Sequence, residues 1–400
     1  MQNKNVLAIQ CSNTQNEQYA LFCDDNGLYH GNDDEGYVML AQLDNINPAE
    51  KFIKIYYHFP YICVTERYGV NAAVVNISDA NIRTLSRADY HCDVSSYGIG
   101  FLKHNDNVLL IHQTAWNRLD ITNLETGELL TEREIIYRKT DEMETNQWGT
   151  FNKMESKNHI DYFHSLLHVS PDGKHFLSNG WAWHPVDYIM CFDTEQFLAE
   201  YETCGKDTRY ARGYVWDRPC TFVNNDMFVI AADNDTVTAE EGVDEATLKE
   251  PPAYHQLLYY KLSEIKSGKY TYRGLEGYDT LPLAYSDKAD CDIFVFNEYG
   301  EITGGELHYK PSTDTLVAIS EKGAFELTLD GKILFCNTDI KISVGNWAIR
   351  RNDLNEVSHT DLLKNWQYDN VRDSFYRFND GNIERRKIQA ISEQEMNATK

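Results

Sequence analysis

Leu167-His168-Val169-Ser170-Pro171-Asp172-Gly173-Lys174-His175-Phe176-Leu177-Ser178-Asn179-Gly180 is followed, after an aromatic insert, by Tyr188-Ile189-Met190-Cys191-Phe192-Asp193-Thr194-Glu195-Gln196-Phe197. The apolar runs are short and sit at Leu167 and Val169, at Phe176, and at Ile189 and Cys191. Between the first two, Ser170 to Gly173 places proline at the second turn position and glycine at the fourth. The stretch therefore reads as strand, turn, strand, loop and third strand.

Outward from it, other segments repeat this plan with different residues. Val6 to Leu43 carries strands near Val6-Ile9, Tyr19-Cys23 and Tyr37-Leu40, with turns at Asp24-Asp25-Asn26-Gly27 and at Asn32 to Gly36. Phe52 to Arg87 carries four strands, Ile53-Tyr57, Tyr61-Glu66, Ala72-Ile77 and Ile82-Leu85. Gly98 to Ile135 carries Ile99-Leu102, Val108-His112, Asn117-Thr122 and Leu129-Glu132. Pro219 to Arg273 carries Cys220-Val223, Met227-Ala231, Gln256-Leu262 and Tyr270-Tyr272. Glu306 to Phe335 carries Leu307-Tyr309, Leu316-Ser320, Ala324-Leu327 and Lys332-Phe335. At the C-terminus, Ser374 to Ile388 reads as a hairpin about Asp380-Gly381, and it either completes the first unit or adds a seventh.

The order of Ser170-Pro171-Asp172-Gly173-Lys174 after one strand, small residues after the next and Asp193 after the third resembles a blade of a WD-repeat-like β-propeller. Cys191-Phe192-Asp193 stands where that family has its Trp-Asp pair, and Ile121 to Leu130 is similar to its turn between third and fourth strands. The resemblance implies an all-β chain forming a single β-propeller domain over residues 1–400. Seven four-stranded blades are expected, with six as the alternative, and the ring is expected to be closed by N- and C-terminal strands, because an open sheet edge is otherwise exposed. Insertions are expected at 137–159, 236–252 and 343–368, the first two as polar surface excursions. The third includes a short helix started by Ser358-His359-Thr360-Asp361. The fold implied is a stacking principle and carries no activity with it.

The 400 residues carry a formal charge of -25, which argues against nucleic acid or an anionic membrane as partner, since both need clustered Lys and Arg. Nine scattered cysteines without a Cys-x-x-Cys pair read as small apolar strand residues in a reducing compartment. The N-terminal Met1 to Val6 lacks an apolar signal-like run, and no stretch is long and apolar enough to span a membrane. A cytoplasmic location is the resulting expectation.

Trp181-Ala182-Trp183-His184-Pro185-Val186-Asp187-Tyr188 and Tyr210 to Arg218 are the densest aromatic stretches. Trp181, Trp183, His184, Asp187, Tyr214, Trp216 and Arg218 form the candidate binding set, because Trp, Tyr and Arg dominate interface hot spots. The alternative is that these rings fill gaps between blades. An exposed Trp181-Trp183 loop is the sharper expectation.

His164, His168 and His184 match no zinc spacing, and the Asp/Asn clusters at 24–27, 32–36 and 233–235 lack the glutamate of a calcium loop. Turn formation accounts for the latter. No nucleophile elbow, reactive-cysteine neighbourhood, phosphate-binding glycine loop or dinucleotide fingerprint is present. No metal or cofactor is expected, and no catalytic residue is assigned. The reading is a non-catalytic module binding a protein partner or small ligand. The alternative is an enzyme or carbohydrate binder with carboxylates at the mouth of a central channel.

Overall fold

The computed structural model describes residues 4–50, 52–146, 149–182, 186–211, 217–232, 255–263, 265, 291–296, 305–342 and 359–387. Among these the chain is built of antiparallel meanders in which consecutive strands pair. The first sheet contains β1 (Val6–Cys11), β2 (Tyr19–Cys23), β3 (Gly27–Asn32) and β4 (Gly36–Gln42). The second contains β5 (Ile53–His58), β6 (Tyr61–Glu66), β7 (Asn71–Asn76) and β8 (Ile82–Ser86). The third has three strands, β9 (Ile99–His104), β10 (Asn107–Ala115) and β11 (Arg118–Asn123), and a separate hairpin follows, β12 (Ile136–Asn146) with β13 (Gly149–Lys157). The fourth sheet contains β14 (Phe163–Val169), β15 (His175–Ala182), β16 (Val186–Asp193) and β17 (Lys206–Ala211), with helix α1 (Thr194–Glu200) before the last strand.

The fifth sheet contains β18 (Cys220–Phe222), β19 (Met227–Ala232), β20 (His255–Lys261) and β21 (Cys291–Phe296). The sixth contains β22 (Glu306–Lys310), β23 (Thr315–Ile319), β24 (Ala324–Thr328) and β25 (Ile333–Asn337). After helix α2 (His359–Leu363) comes a three-stranded sheet, β26 (Gln367–Asp369), β27 (Ser374–Asn379) and β28 (Asn382–Lys387). The C-terminal hairpin thus has a sheet of its own, and β1 pairs with β2.

Contacts divide the chain into two units, one of Met1–Tyr97, Asp217–Leu262 and Cys291–Lys400, the other of Gly98–Trp216 and Ser263–Asp290. Within each, the sheets stack face to face. In the first unit Ala8, Phe22 and Leu28 pack with Ile55, Ile62 and Val64 of the second sheet. On the opposite side Ile9, Tyr19 and Leu21 pack with Leu363 and Tyr376 of the C-terminal segment. Val317 and Ile319 meet Trp366 and Phe375, while Val229 and Leu257 meet Leu316 and Phe325. In the second unit Leu109, Ile111 and Ile121 meet Leu167, Phe176 and Phe192.

This stacking explains the sequence pattern. A strand with neighbours on both faces has no wet side, so it reads as a continuous apolar run. β2, β6 and β23 are buried at every residue, whereas the last strands β4 and β8 alternate or lie open to solvent.

The stretch at Leu167 is strand, turn and strand as the sequence predicts. Ser170 Oγ donates to Asp172 Oδ1 (2.8 Å) and accepts from the His175 N–H (2.9 Å), and Asp172 Oδ1 accepts from the Lys174 N–H (3.1 Å). Gly173 adopts φ +71, and a Cβ there would lie 2.9 Å from the Lys103 carbonyl oxygen. Asp193, which ends β16, caps α1 through its Oδ1 and the Gln196 N–H (2.8 Å).

Three details differ from the sequence reading. β3 lies between two turn signals and was not anticipated as a strand. Leu129 to Glu132 makes only one bridge, Thr122 to Leu129, so the third sheet keeps three strands. The insertion at 137–159, expected as a polar surface excursion, carries two paired strands, β12 and β13. The residues of 236–252 and Tyr270-Tyr272 lie outside those described.

The C-terminal sheet is fastened to β1 by a buried polar clamp. Asp369 Oδ2 accepts from Arg372 Nη1 (2.8 Å) and Arg385 Nη2 (2.9 Å), and each guanidinium also reaches Cys11 Sγ at 3.2 Å. The Cys11 N–H donates to the Tyr376 hydroxyl (3.1 Å), and Arg372 Nη2 donates to the Thr14 carbonyl (2.6 Å). Burial raises the Asp369 pKa, but the two arginine bonds outweigh it and hold the carboxyl below the usual range.

Gly180 sits where a Cβ would lie 1.9 Å from the Phe163 carbonyl oxygen and 2.7 Å from the Tyr162 hydroxyl. Gly180→Ala is expected to lower stability by about 3 kcal/mol by overpacking the β14–β15 pair. A urea unfolding midpoint equal to wild type would contradict this geometry.

Candidate functional site

Of the candidate aromatic set, the described residues include the side chains of Trp181 and Arg218 and the backbone of Asp187. Trp181, on β15, is 2% exposed and stacks on Phe163 with centroids 3.6 Å apart and planes at 4°. Phe163 in turn meets Trp116 at 4.4 Å. Trp181 is therefore a packing residue, because its ring lies within the β14–β15 pair rather than beyond it. Arg218 is also buried. Asp187 lies in β16 opposite Trp181 in the strand register. Trp183, His184, Tyr214 and Trp216 lie outside the described residues, as does the side chain of Asp187.

In the first unit, polar groups on β5 and β22 lie within electrostatic reach of one another. β5 presents Lys54 and Tyr56 at alternate positions, and β22 presents Glu306 and His308 in the same way. Glu306 Oε2 lies 3.1 Å from His308 Nε2, and its side chain is 42% exposed. The Lys54 ammonium lies over the Tyr56 ring, 5.1 Å from its centroid. Beside them Arg67 Nε donates to Ser96 Oγ (3.0 Å), which donates to the buried Asp217 Oδ2 (2.8 Å), while Arg67 Nη2 lies 3.5 Å from that same oxygen.

Electrostatics separates the roles. Burial, with Arg67 adding repulsion, brings the Lys54 ammonium down to about 8 despite the opposing pull of Glu306 and Asp217. Burial raises Glu306, but the His308 hydrogen bond, Lys54 and Arg67 prevail and lower its carboxyl to about 2. A carboxylate so acidic is a poor general base near neutrality. The arrangement suits recognition of a charged or zwitterionic group, through a partly accessible carboxylate and a partly neutral amine. Sequence reasoning overlooked these residues, although polar side chains at alternate positions of a sheet's first strand are a usable signal.

A second polar group is structural. Asp120 accepts from Thr114 Oγ1 (2.6 Å), Arg118 Nε (2.8 Å), Thr131 Oγ1 (3.0 Å) and Arg133 Nη1 (2.8 Å). Arg133 also pairs with Glu202, whose Oε1 accepts from the Leu119 N–H (2.8 Å). Burial pushes Glu202 up to about 7, Arg133 notwithstanding. His164, buried with Nδ1 2.9 Å from Ser178 Oγ, is brought down to about 3 by burial and by Arg133.

The acidic clusters at 24–27 and 32–36 act as turn formers, while 233–235 lies outside the described residues: Asp25 Oδ1 accepts from the Gly27 N–H (3.1 Å) and Asn32 Oδ1 from the Glu35 N–H (2.7 Å). Among the described residues no three His, Cys, Asp or Glu side chains are grouped to hold a metal ion. No helix there is long and apolar enough to cross a membrane.

Two solved structures are similar to this chain over most of its length. The Neurospora crassa Pan2 WD40 domain has a TM-score of 0.48 at 8% identity, covering 97% of this chain and 92% of that one. A chain of the mitotic checkpoint complex has a TM-score of 0.47 at 9% identity, covering 95% and 86%. No family model matches the sequence, and no curated protein matches it either.

Two outcomes follow from these geometries. Limited acylation followed over pH and read by mass spectrometry is expected to show Lys54 half-reacting near pH 8, whereas ordinary exposed lysines titrate near about 10.4. Lys54 reacting together with the bulk lysines would contradict the site.

The second concerns stability. The native state excludes a proton from His164 while the unfolded chain takes one up below 6.5, so this contribution is lost as pH falls toward about 3. Glu202 holds its proton to about 7 when folded and to 4.5 when unfolded, so its contribution is lost as pH rises through that range. The two oppose each other between pH 4.5 and 6.5. Relative to wild type, His164→Asn is expected to lose stability with rising pH there and Glu202→Gln to gain it, each by up to about 1.4 kcal/mol per pH unit. Urea titrations giving pH-independent offsets would contradict both assignments.

Proposed function

We propose that the seven meander sheets are blades of one β-propeller and that the chain is a non-catalytic interaction module. The observation that carries this reading is the placing of Lys54 on β5 and of Glu306 and His308 on β22, where the last two side chains are partly accessible. A rigid sheet presents such groups to a partner without an ordering cost. Trp183, Tyr214 and Trp216, with His184 and Asp187 beside them in sequence, are the proposed contacts, the tryptophans and the tyrosine on the strength of their residue types. Trp181 and Arg218 are both buried and are left out of the proposed contacts.

The Lys54 and Glu306 cluster also favours a second reading, a small-ligand or saccharide site at the mouth of a central channel. Affinity capture separates the two, with wild type compared with Trp183→Ala/Trp216→Ala and Lys54→Met/Glu306→Gln chains, each confirmed as folded. A stoichiometric protein retained by wild type and lost from the aromatic variant supports the interaction module. Capture of no protein, together with saturable binding of a saccharide or charged small molecule that the Lys54→Met/Glu306→Gln chain lacks, replaces it with the ligand-site reading.

A further inference from the structure

The β12–β13 hairpin forms a two-stranded sheet among the described residues, and most of its side chains are exposed. A lone two-stranded ribbon is marginally stable in water, and its outer edges offer unpaired N–H and C=O groups to another strand. On β13 the edge direction is readable. The Lys153 carbonyl accepts from Thr140 Oγ1 across the hairpin (3.0 Å), so it faces β12, and the peptide groups of Asn152 and Met154 face outward.

We infer that this hairpin is a self-association arm, in which β13 pairs antiparallel with β13 of a second copy about a twofold axis at Met154. The sequence Asn152-Lys153-Met154-Glu155-Ser156 is self-complementary in that register. Met154 faces its own equivalent, Lys153 faces Glu155 of the other copy twice over, and Asn152 faces Ser156. Opposite charges directly across an antiparallel pair are stabilising, and like charges destabilising. The result is a four-stranded sheet with the two β13 strands inside, and the twofold makes the interface isologous and closed.

Within one copy Lys153 Nζ contacts Glu142 Oε2 (3.1 Å) and Arg138 Nε contacts Glu155 Oε2 (2.6 Å). These are solvent-exposed pairs of small net worth, so exchanging them for pairs between copies has little cost. The outward row of this strand is also short of the apolar side chains that a protein core demands. That is the composition expected of an edge that must stay soluble when unpaired.

Sedimentation equilibrium of the full chain in low salt tests the arm. Wild type is expected to approach twice the 46.3 kDa chain mass as concentration rises. Lys153→Glu sets two pairs of like charges face to face and is expected to raise the dissociation constant about tenfold or more. The double variant Lys153→Glu/Glu155→Lys restores both attractions and is expected to recover the dimer. Circular dichroism checks that all three remain folded. A wild-type chain that stays monomeric at its highest soluble concentration overturns the proposal. So does a dimer indifferent to Lys153→Glu, or one that the double variant fails to rescue.

Discussion

The carboxylate of Asp369 is shared by Arg372 and Arg385, and both guanidinium groups also touch Cys11 on the first strand of the chain. One buried anion thus joins residues from opposite ends of the sequence. Taking charges out of water is costly, and the cost is offset only when each is paired and hydrogen-bonded. The clamp meets that condition through the carbonyls at Ser12, Thr14 and Asn16, the hydroxyls of Ser12 and Ser374, and Glu17. With it in place, Ile9, Tyr19 and Leu21 are covered by Tyr376 and Leu363, and the first sheet gains a neighbour on its second face. Burial on two faces is what allows β2 to be apolar throughout.

Where two-face burial governs the sequence, the fold is legible in it. The four strands between Ile53 and Ser86 lie within a residue or two of where alternation and turn residues place them. The turn from Ser170 to Lys174 is written in its own hydrogen-bonding side chains. β3 is harder to see, since Gly27-Leu28-Tyr29-His30-Gly31-Asn32 begins in one turn signal and ends in another. β12 and β13 are invisible to hydrophobic periodicity for a different reason: the hairpin buries almost nothing, so its residues carry no apolar alternation.

The candidate site was less legible still. Its charged members belong to β5 and β22, far apart in sequence, and only the fold brings them within electrostatic reach of one another. Tryptophan density pointed instead to residues 181–188, where a large ring serves packing as readily as recognition, and Trp181 serves packing. Composition cannot separate those uses, because both reward the same apolar area.

The most direct measurement of the central claim is hydrogen exchange on Asp369→Asn beside the wild-type chain. If the Asp369 clamp holds the first and last sheets together, protection falls in residues 6–23 as well as in residues 367–387, while β9 to β11 keep theirs. Loss confined to residues 367–387, with β1 and β2 as protected as before, would contradict the account.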